Sequence, residues 1–304
     1  VLAYGSTIVS GSLAFFTNSI LLRKILPSGA ALAEGSHPEA GLLSGYLTVD
    51  MPPIMGVMTA LLMAFILGIG IAVVEGTTIK NFMNEVQTIV EKIITNIIIP
   101  FLPLYIAGIF ANMTYAGEIV KIMSVFAKVF GIIIVLHFVI LLVQYTIAGT
   151  LSGANPILLL RKMLPAYFTA IGTQSSAATI PVTLNQTKEN GVNEGIADFT
   201  IPLCATIHLS GSTITLVSCS MAVMMLNGMP ITFSGMFGFI LMLGVTMVAA
   251  PGVPGGAVMA ALGLLESMLG FTPELTSLMI ALYLTQDSFG TACNVTGDGA
   301  IAIM

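Results

Sequence analysis

Apolar residues fall in long blocks along this chain. Uncharged blocks cover 1–22, 54–74, 93–117, 129–160 and 199–228, and a last block runs over about 275–304. Each is long enough for a helix to cross a bilayer, which takes roughly 20 apolar residues. Between the first two lies "PSGAALAEGSHPEAGLLSGYLTVDMPP", 27–53, a polar loop with acidic residues and no Lys or Arg. By the positive-inside rule it is expected to face away from the cytoplasm. Residues 75–92, "EGTTIKNFMNEVQTIVEK", read as an interfacial connection with charges at i,i+4-type spacing.

Two further apolar segments are interrupted. "MLPAYFTAIGTQSSAATIPVTLNQT", 163–187, is broken by "TQSSAATIP". "MFGFILMLGVTMVAAPGVPGGAVMAALGLL", 236–265, is broken by "APGVPGG". Each arm is too short to span. Irregular backbone at membrane depth is tolerated only where protein buries it or it lines a cavity. Each interrupted segment is followed by a full-length one, so the unit occurs twice. Such paired interruptions point to a transporter's binding site. The expected architecture is therefore an all-α membrane protein with two re-entrant helical hairpins.

Composition agrees. Of the 304 residues 56% are hydrophobic and 8% charged, where soluble domains carry about 25% charged residues. The mean hydropathy is +1.02, so lipid is the expected solvent. A net charge of -5 argues against a nucleic-acid partner, which calls for basic patches. Cys204, Cys219 and Cys293 sit in apolar stretches without metal or redox spacing, and read as packing residues. The chain shows no initiator Met and no signal-peptide pattern, and its first residues already read as membrane helix, so an earlier part is expected to precede it.

The last block carries the chemistry. Asp287, Thr291, Asn294 and Asp298 fall at i, i+4, i+7 and i+11, one face of a helix with 3.6 residues per turn. Buried carboxylates in a membrane are expensive and mark ion or substrate paths. No Lys or Arg follows Lys188, so the balancing charge must come from a distant helix, a proton, a metal cation or a ligand ammonium. In the preceding block Thr206, His208, Ser210, Ser212, Thr213 and Thr215 form a matching polar run around Gly211, which suggests local unwinding there. His208 is either a hydrogen-bonded packing residue or a proton carrier. Ser175 and Ser176, at the first break, suit a helix N-terminus that attracts a carboxylate. One site would then hold both ends of an amino acid.

As a set, "TQSSAATIPVT", "GVNEGIADFTIPLCATI", "GVPGG" and "NVTGD" resemble the glutamate-transporter family, the dicarboxylate/amino acid:cation symporters. The resemblance covers nearly the whole chain. It implies an eight-helix carrier whose first two helices are absent here, residue 1 falling in the third. It also implies a scaffold in 1–160, a transport core in 161–304, and a homotrimer in the bacterial inner membrane. By position it assigns Ser175, Ser176 and Asn294 to the substrate α-carboxylate and Asp287 to the α-amino group. Gln174, Leu209, Ser212, Gly290 and Thr291 join that substrate set, and Val253 and Pro254 belong to a lid. Asp298, with carbonyls near Cys204, His208 and Asn294, matches one sodium site. Thr206, Met247, Val248 and Ala250 match a second, built of carbonyls.

Three positions depart from the family. Gly290 stands where acidic amino-acid carriers have an arginine, and "LTQDS" is closer to the bacterial sodium:serine/threonine branch. "HLSGS" replaces "NMDGT", putting His208 and Ser210 at ion-site positions. Gln174 stands where some members have Arg. The expected function is uptake of a small neutral amino acid with sodium, a proton being the other coupling ion. The alternative within the family is an acidic amino acid or dicarboxylate carrier coupled to protons. An ion channel is a rival that the paired hairpins disfavour. An intramembrane aspartyl protease is another; its Gly-x-Gly-Asp motif fails at Val295, and two aspartates roughly 16 Å apart along one helix cannot share a reaction.

Overall fold

The computed structural model describes residues 1–25, 55–115, 119–250 and 252–304. The polar loop at 27–53, and with it the expectation about its sidedness, lies outside the described residues. Helices carry the described chain: α1 (Leu2–Ile25), α2 (Val57–Val74), α3 (Thr77–Ile93), a π-helical stretch at Ile94–Ile98, α4 (Ile99–Tyr115) and α5 (Ile119–Ser152). There follow α6 (Pro156–Lys162), α7 (Leu164–Thr173), α8 (Ser176–Glu189), α9 (Glu194–Ile207) and α10 (Ser210–Leu226). The last are α11 (Phe233–Met247), α12 (Gly256–Leu269), α13 (Pro273–Leu284) and α14 (Asp287–Ile303). Among the described residues, Leu2–Ile25, Met123–Ser152 and the nearly continuous Glu194–Leu226 are long and apolar enough to cross a membrane. The chain is an all-α membrane protein.

The two interrupted segments break where the sequence predicts. Between α7 and α8 the chain turns at Gln174, which is left-handed (φ 53), and at Ser175, which is extended. The Ser175 hydroxyl then accepts from Ala178 N and caps α8, satisfying one of the free amides of a helix start. α11 ends at Met247 with Val248 as its C-cap, and α12 is opened by Gly255, which takes φ 74, a conformation that glycine adopts without a Cβ penalty. The partners of each pair, α7 with α8 and α11 with α12, pack on one another.

Two later blocks are broken as well. The block at 199–228, expected to unwind around Gly211, leaves the helix just before it, at His208 and Leu209. Gly211 is helical, and its small size serves packing: a Cβ there would stand 2.5 Å from Gly290 O and 2.6 Å from Cys293 Cβ. The block at 275–304 is interrupted at Thr285 and Gln286, so Asp287 opens a helix of its own. A carboxylate in a first turn is favoured by the helix dipole.

α14 is the centre of the molecule. It packs against α5, α7, α8, α9 and α10, and every residue from Gly290 to Ala300 is buried. α1 lies on α10 and α11, and α5 on α10 and α14, so both join the core directly despite preceding residue 160. α2, α3 and α4 expose most of their apolar side chains, Phe65, Val73, Phe82 and Phe101 among them. All three cysteines are buried and free.

Candidate functional site

Four interruptions of helix converge on one place. The tip between α7 and α8 reaches the tip between α11 and α12, where the Ser175 hydroxyl donates to Gly252 O at 2.6 Å. The second tip is in turn tied to α14: Gly255 N donates to Asp287 Oδ2, also at 2.6 Å. The amide of Gly255 precedes the first turn of α12, where free N–H groups favour an anion. Asp287 is 4% exposed and has a backbone partner, but among the described residues no basic side chain lines the cavity beside it.

The break between α9 and α10 is held by a side chain from elsewhere in the sequence. Leu209 occupies the N-cap position and has no capping group. Asn294 Oδ1 takes its place, accepting from Gly211 N at 2.8 Å and Ser212 N at 3.2 Å, while Asn294 Nδ2 donates to Ser212 Oγ at 2.9 Å. On the far side of the break, His137 Nε2 donates to Gly211 O at 3.0 Å.

These elements enclose a cavity of about 20 Å³, room for little more than one water. Its walls bring together most of the expected substrate residues: Gln174, Ser176, Leu209, Ser212, Val253, Asp287, Thr291 and Asn294. Ala250, expected near an ion, also lines it. Ser175 is engaged at the tip-to-tip bond. Gly290 faces Ser212, a Cβ on it standing 3.6 Å from Ser212 N, Cα and Oγ. Pro254 sits half-buried in the second tip.

Asp298 has company that sequence reasoning did not assign to it. Its Oδ1 lies 2.8 Å from His208 Nδ1, with both side chains buried. The other ring nitrogen of His208 meets Ser6 Oγ at 3.1 Å, and Ser6 Oγ accepts from Gln144 Nε2 at 2.8 Å. His208 was expected to contribute a carbonyl; the structure brings its ring to the carboxylate as well. Two buried oxygens of this cluster, Asp298 Oδ2 and Gln144 Oε1, have no hydrogen-bond partner. A hard cation takes oxygen ligands, and an orphaned buried carboxylate oxygen is what such an ion would satisfy, so these residues fit one. Gly297 keeps the cluster tight: a Cβ there would meet His208 Cε1 at 2.7 Å and Gln144 Oε1 at 2.8 Å. Of the second expected ion set, Met247 and Ala250 are buried, whereas Val248 and Thr206 are exposed and the Thr206 hydroxyl donates back to Leu203 O. Cys204 O already accepts from His208 N.

Sequence reasoning missed Ser6, Gln144 and Tyr283. Ser6 and Gln144 lie 202 and 64 residues from His208, too far for any spacing to reveal. Tyr283 had one legible signal, a polar group one helical turn before Asp287.

The chain matches the model of the sodium:dicarboxylate symporter family over residues 1–304. The serine/threonine transporter SstT of Acinetobacter baumannii (strain SDF) is 30% identical over 244 residues, 78% of this chain and 60% of that protein. The protein of the same name from strain AYE is 29% identical over the same length. An excitatory amino acid transporter of Caenorhabditis elegans is 30% identical over 145 residues, 47% of this chain and 29% of that one. The chain thus spans about 60% of the length of the serine/threonine transporters it resembles.

Proposed function

Because the chain belongs to the sodium:dicarboxylate symporter family, we propose that it is the transporting part of a carrier for a small neutral amino acid, serine, threonine or alanine, driven by sodium. The observation that supports this most is the small cavity at which four helix breaks meet, with the buried Asp287 in its wall and, among the described residues, no basic side chain beside it. A substrate ammonium supplies the charge that Asp287 lacks. The α-carboxylate goes to the amides and hydroxyls at the start of α8, with Ser175 and Ser176, and to Asn294 Nδ2. A second carboxylate on the substrate would meet no cation, at a cost of several kcal/mol in a low-dielectric site, which argues against acidic substrates.

An amino acid does not fit a space of about 20 Å³. Entry therefore requires the Ser175–Gly252 and Gly255–Asp287 bonds to part, with Val253 and Pro254 moving as the lid. The two helix pairs act as re-entrant hairpins in the bilayer. α1 and α5 travel with residues 161–304 in alternating access, while α2–α4 stay with the scaffold. Sodium at Asp298 would supply the charge that makes a buried carboxylate there tolerable; His208 fixes the other oxygen of that carboxylate. Carbonyls around Thr206, Met247, Val248 and Ala250 form a second sodium site once the lid has settled. The full-length carrier works as a homotrimer in a bacterial inner membrane.

The test is counterflow of radiolabelled amino acids into liposomes holding the full-length protein. Serine should accumulate with an inward sodium gradient and not without one. Accumulation that ignores sodium, or that favours glutamate over serine, would overturn the reading.

A further inference from the structure

α1 and α10 run side by side in the same direction, since Ser6 meets His208 and Asn18 meets Ser218. Their C-terminal ends therefore lie together. Between those ends is a groove of about 710 Å³, the size of an ordinary ligand site. It is a different place from the small cavity at Asp287, with which it shares no lining residue. From α1 the groove is lined by Phe15, Ser19 and Arg23, which follow at four-residue spacing on one helix face. Met221, Met225 and Met229 line it from α10 and the turn beyond. Phe233 closes it from the start of α11, its ring centroid 5.6 Å from that of Phe15.

The wall is hydrocarbon and thioether except at one end. The proton of Ser19 Oγ is already committed, to Phe15 O at 2.8 Å. Methionines are flexible and adapt to an irregular apolar guest. Phe15 and Met221 are buried, whereas Ile20, Arg23 and Phe233 are exposed at the rim. Arg23 and Lys24 stand in the last turn of α1, and among the described residues neither forms an ion pair. α1 is long and apolar enough to cross a membrane, so its last turn comes at headgroup depth. From Arg23 the groove descends along α1 to Phe15, roughly 12 Å at 1.5 Å per residue. A guest that matches has an anionic head and a long apolar tail. We propose that the groove binds one anionic phospholipid, its phosphate held by Arg23 and an acyl chain laid against Phe15, Met221 and Met225. A guanidinium pairs bidentately with phosphate, and two cations without acidic partners favour a net-negative headgroup over a zwitterionic one. Seated there, the lipid bridges α1, α10 and α11.

The experiment titrates the full-length protein in detergent with phosphatidylglycerol or with phosphatidylcholine of the same acyl chains, and counts bound lipid by native mass spectrometry. Wild type should hold one phosphatidylglycerol about fivefold more tightly than phosphatidylcholine, and Arg23→Gln should lose about fivefold in affinity for phosphatidylglycerol, the worth of one basic group at a lipid surface. Met225→Trp, which fills the groove, should reduce retention of both lipids. Equal retention of the two lipids by wild type is the mark of a non-specific annulus and would overturn the proposal, as would affinity unchanged by Arg23→Gln. Undiminished retention by Met225→Trp would overturn it too, since the lipid then sits elsewhere or other residues of the full-length chain fill the groove. Should Met225→Trp fail to fold, Ile20→Trp at the exposed rim takes its place with the same two outcomes.

Discussion

In the proposed amino-acid site, Asp287 and Gly290 would divide the work of selectivity between charge and space. Asp287→Asn keeps an oxygen for Gly255 N but removes the charge that an ammonium would meet. Serine binding by the full-length protein should fall by about a hundredfold or more, in line with the cost of one buried, charge-assisted pair, while sodium still protects the apoprotein from thermal unfolding. Unchanged serine affinity would remove Asp287 from the site. Gly290→Arg asks the opposite question. Its Cβ fits, standing 3.6 Å from Ser212, an ordinary contact. The guanidinium must then enter a cavity of about 20 Å³, so overpacking should lower stability by about 1–3 kcal/mol. In the variant that folds, a carboxylate side chain gains a bidentate partner, and preference should move toward aspartate and glutamate. An active variant that still excludes both would show that charge is selected elsewhere.

At the scale of elements, the interrupted helices separate what local sequence can say from what it cannot. The breaks at Gln174 and at Val248–Gly255 were legible because Ser, Gly and Pro crowd there, residues that favour caps and turns for local reasons. The break at His208–Leu209 was misplaced because its cap is not local: Asn294, 85 positions beyond Leu209, supplies the oxygen that a serine at position 209 would have supplied. Asn294 therefore has a structural duty besides any contact with substrate. Asn294→Ala removes that acceptor for Gly211 and Ser212 at a cost of about 1 kcal/mol, typical of a lost N-cap. Thermal melting in detergent should rank wild type above Asn294→Ala. Equal melting of Ala and wild type would mean that α10 begins without help.

Across the whole molecule, the helical class, the membrane setting and most of the polar residues that line the cavity were readable, since α8 and α14 carry their polar residues in short local patterns. The surroundings of Asp298 were not, because His208 reaches it from the break between α9 and α10 and is joined there by Ser6 of α1 and Gln144 of α5, all distant in sequence. Nor was the place of α1 and α5, whose burial against the core depends on which faces meet rather than on how apolar each helix is. The same arrangement has a consequence for how the protein is made. α14 is innermost, yet it comes last in sequence among the described helices. A chain that emerges N-terminus first must therefore lay down α5, α7, α8, α9 and α10 before the helix they enclose has been translated. Until α14 arrives, Gln144, His208 and Ser210 lack their buried setting, and unsatisfied polar groups in lipid cost several kcal/mol each. The nascent protein passes through an interval in which its wall is built around nothing. A chain stopped after Leu284 should accordingly be cleared from membranes several-fold faster in a pulse-chase experiment than one that continues through α14. Equal lifetimes would show that the surrounding helices hold together before their centre is filled.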